Sequence, residues 1–342
     1  MILYMPHISP GLVVVLLLIL WAEFVNGWTD APNAIATVIS TRVLSPMKAV
    51  LMASVLNLTG VLLAGTAVAM TIGKGIVDPS VLNLTTIAAA MLGIIIFSTA
   101  AWRWGLPTSE SHALVAGLAG AGLAKAGPGV LLGAGWKKVV IGLLFSTFLG
   151  FVVAFILMLV IYHLFARMHL GKVRSLFGRL QIASSAFMAF SHGTNDGQKF
   201  IGVFALALVL GGVIPLESFQ AETFQVPVWI IMICALTMGV GTIVGGWRII
   251  RTMGYNITKL EPVHGFAAET GAALTIELAS RLGIPLSTTH TISTAIMGVG
   301  ATRRLSAVRW GVTLRLVSAW ILTFPCCGLI AYLVTKAVLM LP

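Results

Sequence analysis

Charge is what this chain has least of. Only 9% of its 342 residues are Asp, Glu, Lys or Arg, and just 10 are acidic. A soluble globular domain carries about 25% charged residues, so a water-exposed surface is excluded over most of the chain. Three cysteines are present, Cys234, Cys326 and Cys327, all inside apolar runs. Without metal-ligand spacing or an even framework, they exclude a zinc ribbon and a disulfide scaffold. No HExxH zinc-protease pattern occurs, and the polar/apolar alternation of a membrane barrel is missing. The formal net charge of +11 would suggest nucleic acid in a soluble protein. Here the basic residues collect between apolar runs, as the positive-inside rule expects, so no nucleic-acid partner is read from them.

Apolar residues fill the space left by charge: 58% of the chain, with a mean hydropathy of +1.02. Runs 11–24, 49–70, 85–102, 139–165, 228–246 and 316–334 approach or exceed the ~20 residues that cross hydrocarbon. Backbone polar groups in lipid must bond internally, so the runs are expected to be helices. The first run lacks a basic leader and continues straight into Asp30, so it is read as a membrane segment rather than a signal peptide.

Two polar stretches interrupt the apolar pattern, and each occurs twice. Phe24-Val-Asn-Gly-Trp-Thr-Asp-Ala-Pro-Asn33 aligns with Phe190-Ser-His-Gly-Thr-Asn-Asp-Gly-Gln-Lys199, Gly27 falling on Gly193 and Asp30 on Asp196. Gly105-Leu-Pro-Thr-Ser-Glu-Ser-His112 aligns with Gly283-Ile-Pro-Leu-Ser-Thr-Thr-His290, matching Pro107, Ser109 and His112 to Pro285, Ser287 and His290. The chain is an internal duplication, and matched interruptions of this kind point to the binding site of a secondary transporter. The expected fold is all-α: a polytopic membrane protein with an inverted-topology repeat and 10–12 transmembrane segments, some broken or re-entrant. Its parts are a first repeat over 1–165, a basic cytoplasmic linker over 166–181 and a second repeat over 182–342. Arg42, Lys48, Arg103, Lys172, Arg174, Arg179, Arg248, Arg251, Arg303, Arg304 and Arg309 mark the cytoplasmic side. Glu217 and Glu222 fall outside with both termini, while Lys137 and Lys138 are a local violation.

Each polar stretch has its own chemistry. Gly27 and Pro32 are expected to interrupt a helix. Freed carbonyls with Thr29, Asp30 and Asn33 make an oxygen cluster suited to a small hard cation. Thr194, Asn195, Asp196 and Gln198 repeat it, and helix capping by the two acids is compatible with it. Proline followed by hydroxyl residues reads as a helix N-terminus. Two such ends facing each other, with Thr108, Ser109, Ser111, Ser287, Thr288 and Thr289, form an anion site. Ser/Thr bonding to backbone carbonyls is the plain alternative. Lys199 either neutralises Asp196 or attracts the anion. His112 and His290 either relay protons, bond the anion or bond a neighbouring helix, and His192 has no counterpart, Asn26 standing in its place. Glu23, Glu269 and Glu277 are read as helix-end or ion-paired acids, with cation coupling the alternative. An intramembrane hydrolase using Ser109 or Ser287 with a histidine is a weaker reading, since the motif is duplicated.

These motifs, together with their spacing over nearly the whole chain, resemble the inorganic phosphate transporter (PiT) family of cation-coupled phosphate symporters. The resemblance implies an inverted-repeat fold in the cell membrane and a phosphate site between the halves. It also implies sodium or proton coupling with no other cofactor, and a homodimer in the lipid bilayer. Position by position, Asp30, Asn33, Asn195 and Asp196 take the place of cation-site residues, and Ser109, Ser111, Ser287, Thr288 and Thr289 that of anion ligands. Trp28-Thr29 and Glu110 depart from the family's pattern, and Glu110 puts a carboxylate within an anion motif. The expected function is import of inorganic phosphate by symport with sodium or protons, without enzymatic activity. A sulfate permease on the same fold and a passive anion channel are the alternatives.

Overall fold

A computed structural model describes residues 9–221 and 223–340, so Glu222 and the two terminal segments lie outside the described residues. The first half holds α1 (Pro10–Ser40), α2 (Pro46–Leu63), α3 (Ala67–Gly75), α4 (Leu84–Arg103), α5 (Glu110–Ala126) and α6 (Gly133–Leu144). A π turn over Phe145–Leu149 carries α6 into α7 (Gly150–Phe165). The second half holds α8 (Leu170–Leu210), α9 (Leu216–Gln220), α10 (Val228–Val244), α11 (Trp247–Arg251), α12 (Pro262–Arg281), α13 (Thr288–Arg303) and α14 (Trp310–Leu339). No strand forms among the described residues, and Val77 and Leu131 make one isolated bridge. The protein is an all-helical, multi-pass membrane protein, with leucines such as Leu164, Leu236, Leu314 and Leu329 exposed on its outer faces, as lipid requires.

Local chemistry sets where the helices start. Ser9 accepts from the Leu12 amide ahead of Pro10, which opens α1. Pro46 and Pro262 likewise occupy first turns, where a missing N–H is harmless. Asn83 and Thr86 form a capping box on α4.

The duplicated motifs relate α1 to α8 and the start of α5 to that of α13. Packing exchanges partners between the halves. α1 lies on α10 and α8 on α2, while α5 lies on α14 and α13 on α7. At the first of these crossings backbones touch. A Cβ on Gly27 would stand 2.4 Å from the Met238 carbonyl oxygen, and one on Gly193 would stand 2.2 Å from that of Asn57. Only glycine fits there, which is how small residues bring membrane helices together.

Two apolar cores result. One gathers Leu12–Ala22 of α1 with Phe200–Val209 of α8, and the other gathers Ala34–Ile39 of α1 with Met188 and Ala189 of α8. The polar motifs of both helices sit between them.

Two expectations change, and two further stretches take a definite form. Helix α1 runs unbroken across Gly27 and Pro32, and α8 across Gly193 and Gly197; proline removes one donor, and burial on every side of residues 29–39 holds the turn together. The run 49–70 is divided, because α2 ends at Leu63 and Gly65 turns the chain at φ +73°. Gly245, at φ +67°, does the same after α10, where the axis bends by 61°. The stretch 166–181 is helical from Leu170 and forms the first turns of the 41-residue α8, since no proline interrupts it. By length and apolarity alone, five described helices qualify as spans, or six with the bent pair. The six that fall outside, α3, α5, α8, α9, α12 and α13, include those carrying the Asp196 and Pro-Ser-His motifs.

Candidate functional site

The Pro-Ser-His stretches do form helix N-termini. Glycines 105 and 283, at φ +67° and +63°, turn the chain before each. Ser109 then caps α5 by accepting from the His112 amide at 3.2 Å, and Ser287 caps α13 by accepting from the His290 amide at 3.1 Å. With the third amide satisfied by the cap, the first two of each helix, on Glu110 and Ser111 and on Thr288 and Thr289, have no intrahelical acceptor. The two ends meet: Ser111 donates to the Leu286 carbonyl at 2.7 Å, and the His112 and His290 rings lie 4.8 Å apart. Dipole ends and free amides thus converge on one buried place.

The acidic motifs reach the same place from opposite halves of the chain. Thr289 donates to Asp30 Oδ1 at 3.2 Å, and Thr288 donates to Asp196 Oδ2 at 2.7 Å. Asn33 donates to both hydroxyls, at 3.2 Å to Thr288 and 3.0 Å to Thr289, leaving its Oδ1 buried without a partner. Asp30, Asn33, Asp196, Thr288 and Thr289 are each at most 3% exposed, so the site is closed to both sides.

Lys199 pairs with Asp196, as one of its two readings expects. Its ammonium donates to Asp196 Oδ1, to Ser111 Oγ and, at 3.0 Å, to the Leu286 carbonyl. It neutralises Asp196 and ties α8 to both helix ends. On the other side of that carboxylate, His192 Nε2 lies 3.0 Å from Oδ2, near enough for an ion pair though out of line for a hydrogen bond. Its Nδ1 stands 3.1 Å from Asn57 Oδ1. Asp30, His192 and Asp196 each offer a ligand atom within 4.8 Å of one another. Asp30, the bare Asn33 Oδ1 and the threonine hydroxyls are an all-oxygen donor set of the kind a hard cation takes.

The other expected site residues lie elsewhere. Thr29 donates to the Val25 carbonyl at 2.8 Å and faces Glu110 Oε1 at 3.1 Å. Thr194 donates to the Ser191 carbonyl, and Asn195 donates to Ser280 and the Ile284 carbonyl. Gln198 accepts from the Val68 and Ala69 amides and so caps α3. Thr108 is buried in the segment before α5. Ser109 and Ser287 have their oxygens taken by their own helices. Glu110 is turned from the convergence point, held by Thr29 and by Ser98 at 2.7 Å.

Sequence reasoning missed a second polar knot. Glu269, expected at a helix end or in an ion pair, is fully buried and accepts from Thr37, Ser184 and Gln181 instead. Gln181 in turn accepts from Thr41 at 2.8 Å. The signal was the polar spacing of Gln181, Ser184 and Ser185 on one face of α8. Among the described residues no cation pairs with Glu23, which accepts from Asn26 at 3.0 Å, whereas Glu277 does pair with Arg281 at 3.0 Å.

Residues 26–331 match the model of the phosphate transporter family. A probable low-affinity inorganic phosphate transporter of Rhizobium meliloti (strain 1021) is 45% identical, over 95% of this chain and 95% of that protein. One of the same description from Bacillus subtilis (strain 168) is 38% identical, over 92% and 94%. Among solved structures, one titled "The sodium-dependent phosphate transporter" superposes with a TM-score of 0.85 at 24% identity, covering 97% of this chain and all of that one. It carries the same fold. These relatives are transporters, which removes the hydrolase reading along with the serines it needed. The chain belongs to the phosphate transporter family.

Proposed function

We propose that this protein imports inorganic phosphate by symport with sodium. One observation carries the reading: two buried carboxylates, one from each half of the chain, converge on the hydroxyls that open α13. Sodium held by Asp30, Asn33 Oδ1 and Thr289 offsets the charge of a divalent anion placed against the free amides of α5 and α13. At roughly 4 Å and an effective dielectric near 20, one such unit-charge pair contributes on the order of 4 kcal/mol. Loading of each ligand therefore favours the other, and a site closed on both sides suits a state through which the halves rock. The exchanged packing of α1, α2, α8 and α10 supports an inverted repeat of 1–165 against 182–342. Basic loops on one side support an orientation with both termini outside, and the family resemblance supports a homodimer in the cell membrane. The named sodium dependence of the solved relative favours sodium over protons.

Labelled phosphate uptake into proteoliposomes tests this. An inward sodium gradient is expected to drive accumulation above equilibrium that excess sulfate leaves intact, and Asp30→Asn is expected to abolish the accumulation. Flux indifferent to any cation gradient would make the protein a passive channel. Uptake driven only by protons, or blocked by sulfate, would move it to proton coupling or to a sulfate permease.

A further inference from the structure

Resting on the sodium-symport reading above, we propose that Lys199 is a built-in substitute for a coupling cation, so that this transporter carries one sodium ion fewer per phosphate than its two acidic motifs would otherwise hold. The two motifs superimpose residue for residue, and Lys199 occupies the position of Asn33. Both acids keep the same kind of partner on α13, Thr289 for Asp30 and Thr288 for Asp196. Their counter-charges differ. Among the described residues, Asp30 has no lysine or arginine in ion-pair reach, whereas Asp196 has the Lys199 ammonium.

The surroundings of that ammonium are those of a bound ion. Its three partners are a carboxylate oxygen of Asp196, the hydroxyl of Ser111 and the main-chain carbonyl of Leu286, the donor types from which hard-cation sites are assembled. Ser111 gives its own proton to the Leu286 carbonyl, so its oxygen is free to accept. The side chain is 2% exposed, so water supplies no part of the shell. A lysine is rarely buried so fully unless it is paired, and here the pair spans both halves, joining α8 to the starts of α5 and α13. A free sodium ion at this place would meet a resident positive charge. The position is filled in every cycle without an ion being drawn from solution, and the driving force available per phosphate falls accordingly.

The experiment is Lys199→Asn, which gives the second motif the side chain that the first carries. In proteoliposomes the steady-state phosphate gradient is measured against imposed sodium gradients, and the exponent relating them counts sodium ions per phosphate. In parallel, 22Na binding is counted on the purified full chain. K199N is expected to raise the transport exponent by one and to bind one more sodium ion per chain. If K199N fails to accumulate phosphate, the binding count decides, joined by the paired substitution D196N/K199N. Deleting carboxylate and ammonium together is expected to leave the wild-type sodium count, because the pair holds no mobile ion. An unchanged count in K199N, or a count lowered by one in D196N/K199N, would overturn the proposal. A wild-type protein whose uptake ignores sodium would instead sink the symport reading on which it rests.

Discussion

Asp30 and Asp196 occupy equivalent positions on two helices that pack in equivalent ways, and both accept from hydroxyls in the first turn of α13. Yet the two carboxylates live in different fields. Asp196 has an ammonium on one oxygen and an imidazole nitrogen 3.0 Å from the other, whereas among the described side chains Asp30 accepts from the neutral Thr289 hydroxyl alone. Two substitutions within the duplicated motif, Lys199 against Asn33 and His192 against Asn26, make that difference. The motif recurs in the sequence, but its charges do not. On the proposal above, the first site is the one that takes up an external cation, and Lys199 fills the second.

The largest expected effect separates the two acids. Asp196→Asn leaves a buried ammonium without its carboxylate, and breaking a buried pair from one side costs about 3–5 kcal/mol. Asp30→Asn removes no counter-ion and is expected to leave a folded protein. Thermal unfolding followed by size-exclusion chromatography in detergent should show a much lower midpoint, or little monodisperse protein, for D196N and a near-native midpoint for D30N. Equal midpoints would mean that Lys199 does not depend on Asp196, and the comparison would collapse.

A smaller effect tests whether the backbones are as alike as the charges are not. Alanine at Gly193 would put a Cβ 2.2 Å from the Asn57 carbonyl oxygen, and alanine at Gly27 one 2.4 Å from that of Met238. Neither carbonyl belongs to a flexible side chain, so the helices must part, with an expected loss of about 1–3 kcal/mol in each variant. The two midpoints should fall together. A fall in only one would show that the crossings of α8 on α2 and α1 on α10 are not equivalent.

Much of this was legible in the sequence. Apolar length marked α4 to within one residue at each end, while α14 extends past its run on both sides, and repetition alone singled out Asp30, Asp196 and the two helix starts. What stayed hidden was the identity of partners distant in sequence. Gln198 looks like a ligand within its motif, but its amide oxygen caps α3, which begins at Ala67. Glu269 looks like a helix-end acid, and its partners Thr37 and Ser184 come from two other helices. Reading Pro32 as a break failed for a related reason: local propensity predicts a kink, while packing around the helix decides whether one forms.

The smallest expected effect concerns the helix starts. Ser109 and Ser287 each cap their helix by one hydrogen bond, of 3.2 and 3.1 Å, and replacing such a cap by alanine costs about 1 kcal/mol. On stability the two substitutions should therefore match. On transport they should not. The first turn of α13 presents Thr288 and Thr289 to both carboxylates, whereas that of α5 presents Ser111 to the fixed Lys199 ammonium. Loosening α13 is expected to raise the sodium concentration needed for half-maximal phosphate uptake, and loosening α5 to leave it nearly unchanged. Sodium titration of initial uptake rates in Ser287→Ala and Ser109→Ala distinguishes these outcomes. A larger sodium shift in S109A would place the mobile cation beside Ser111 and reverse the assignment of the open and the satisfied site.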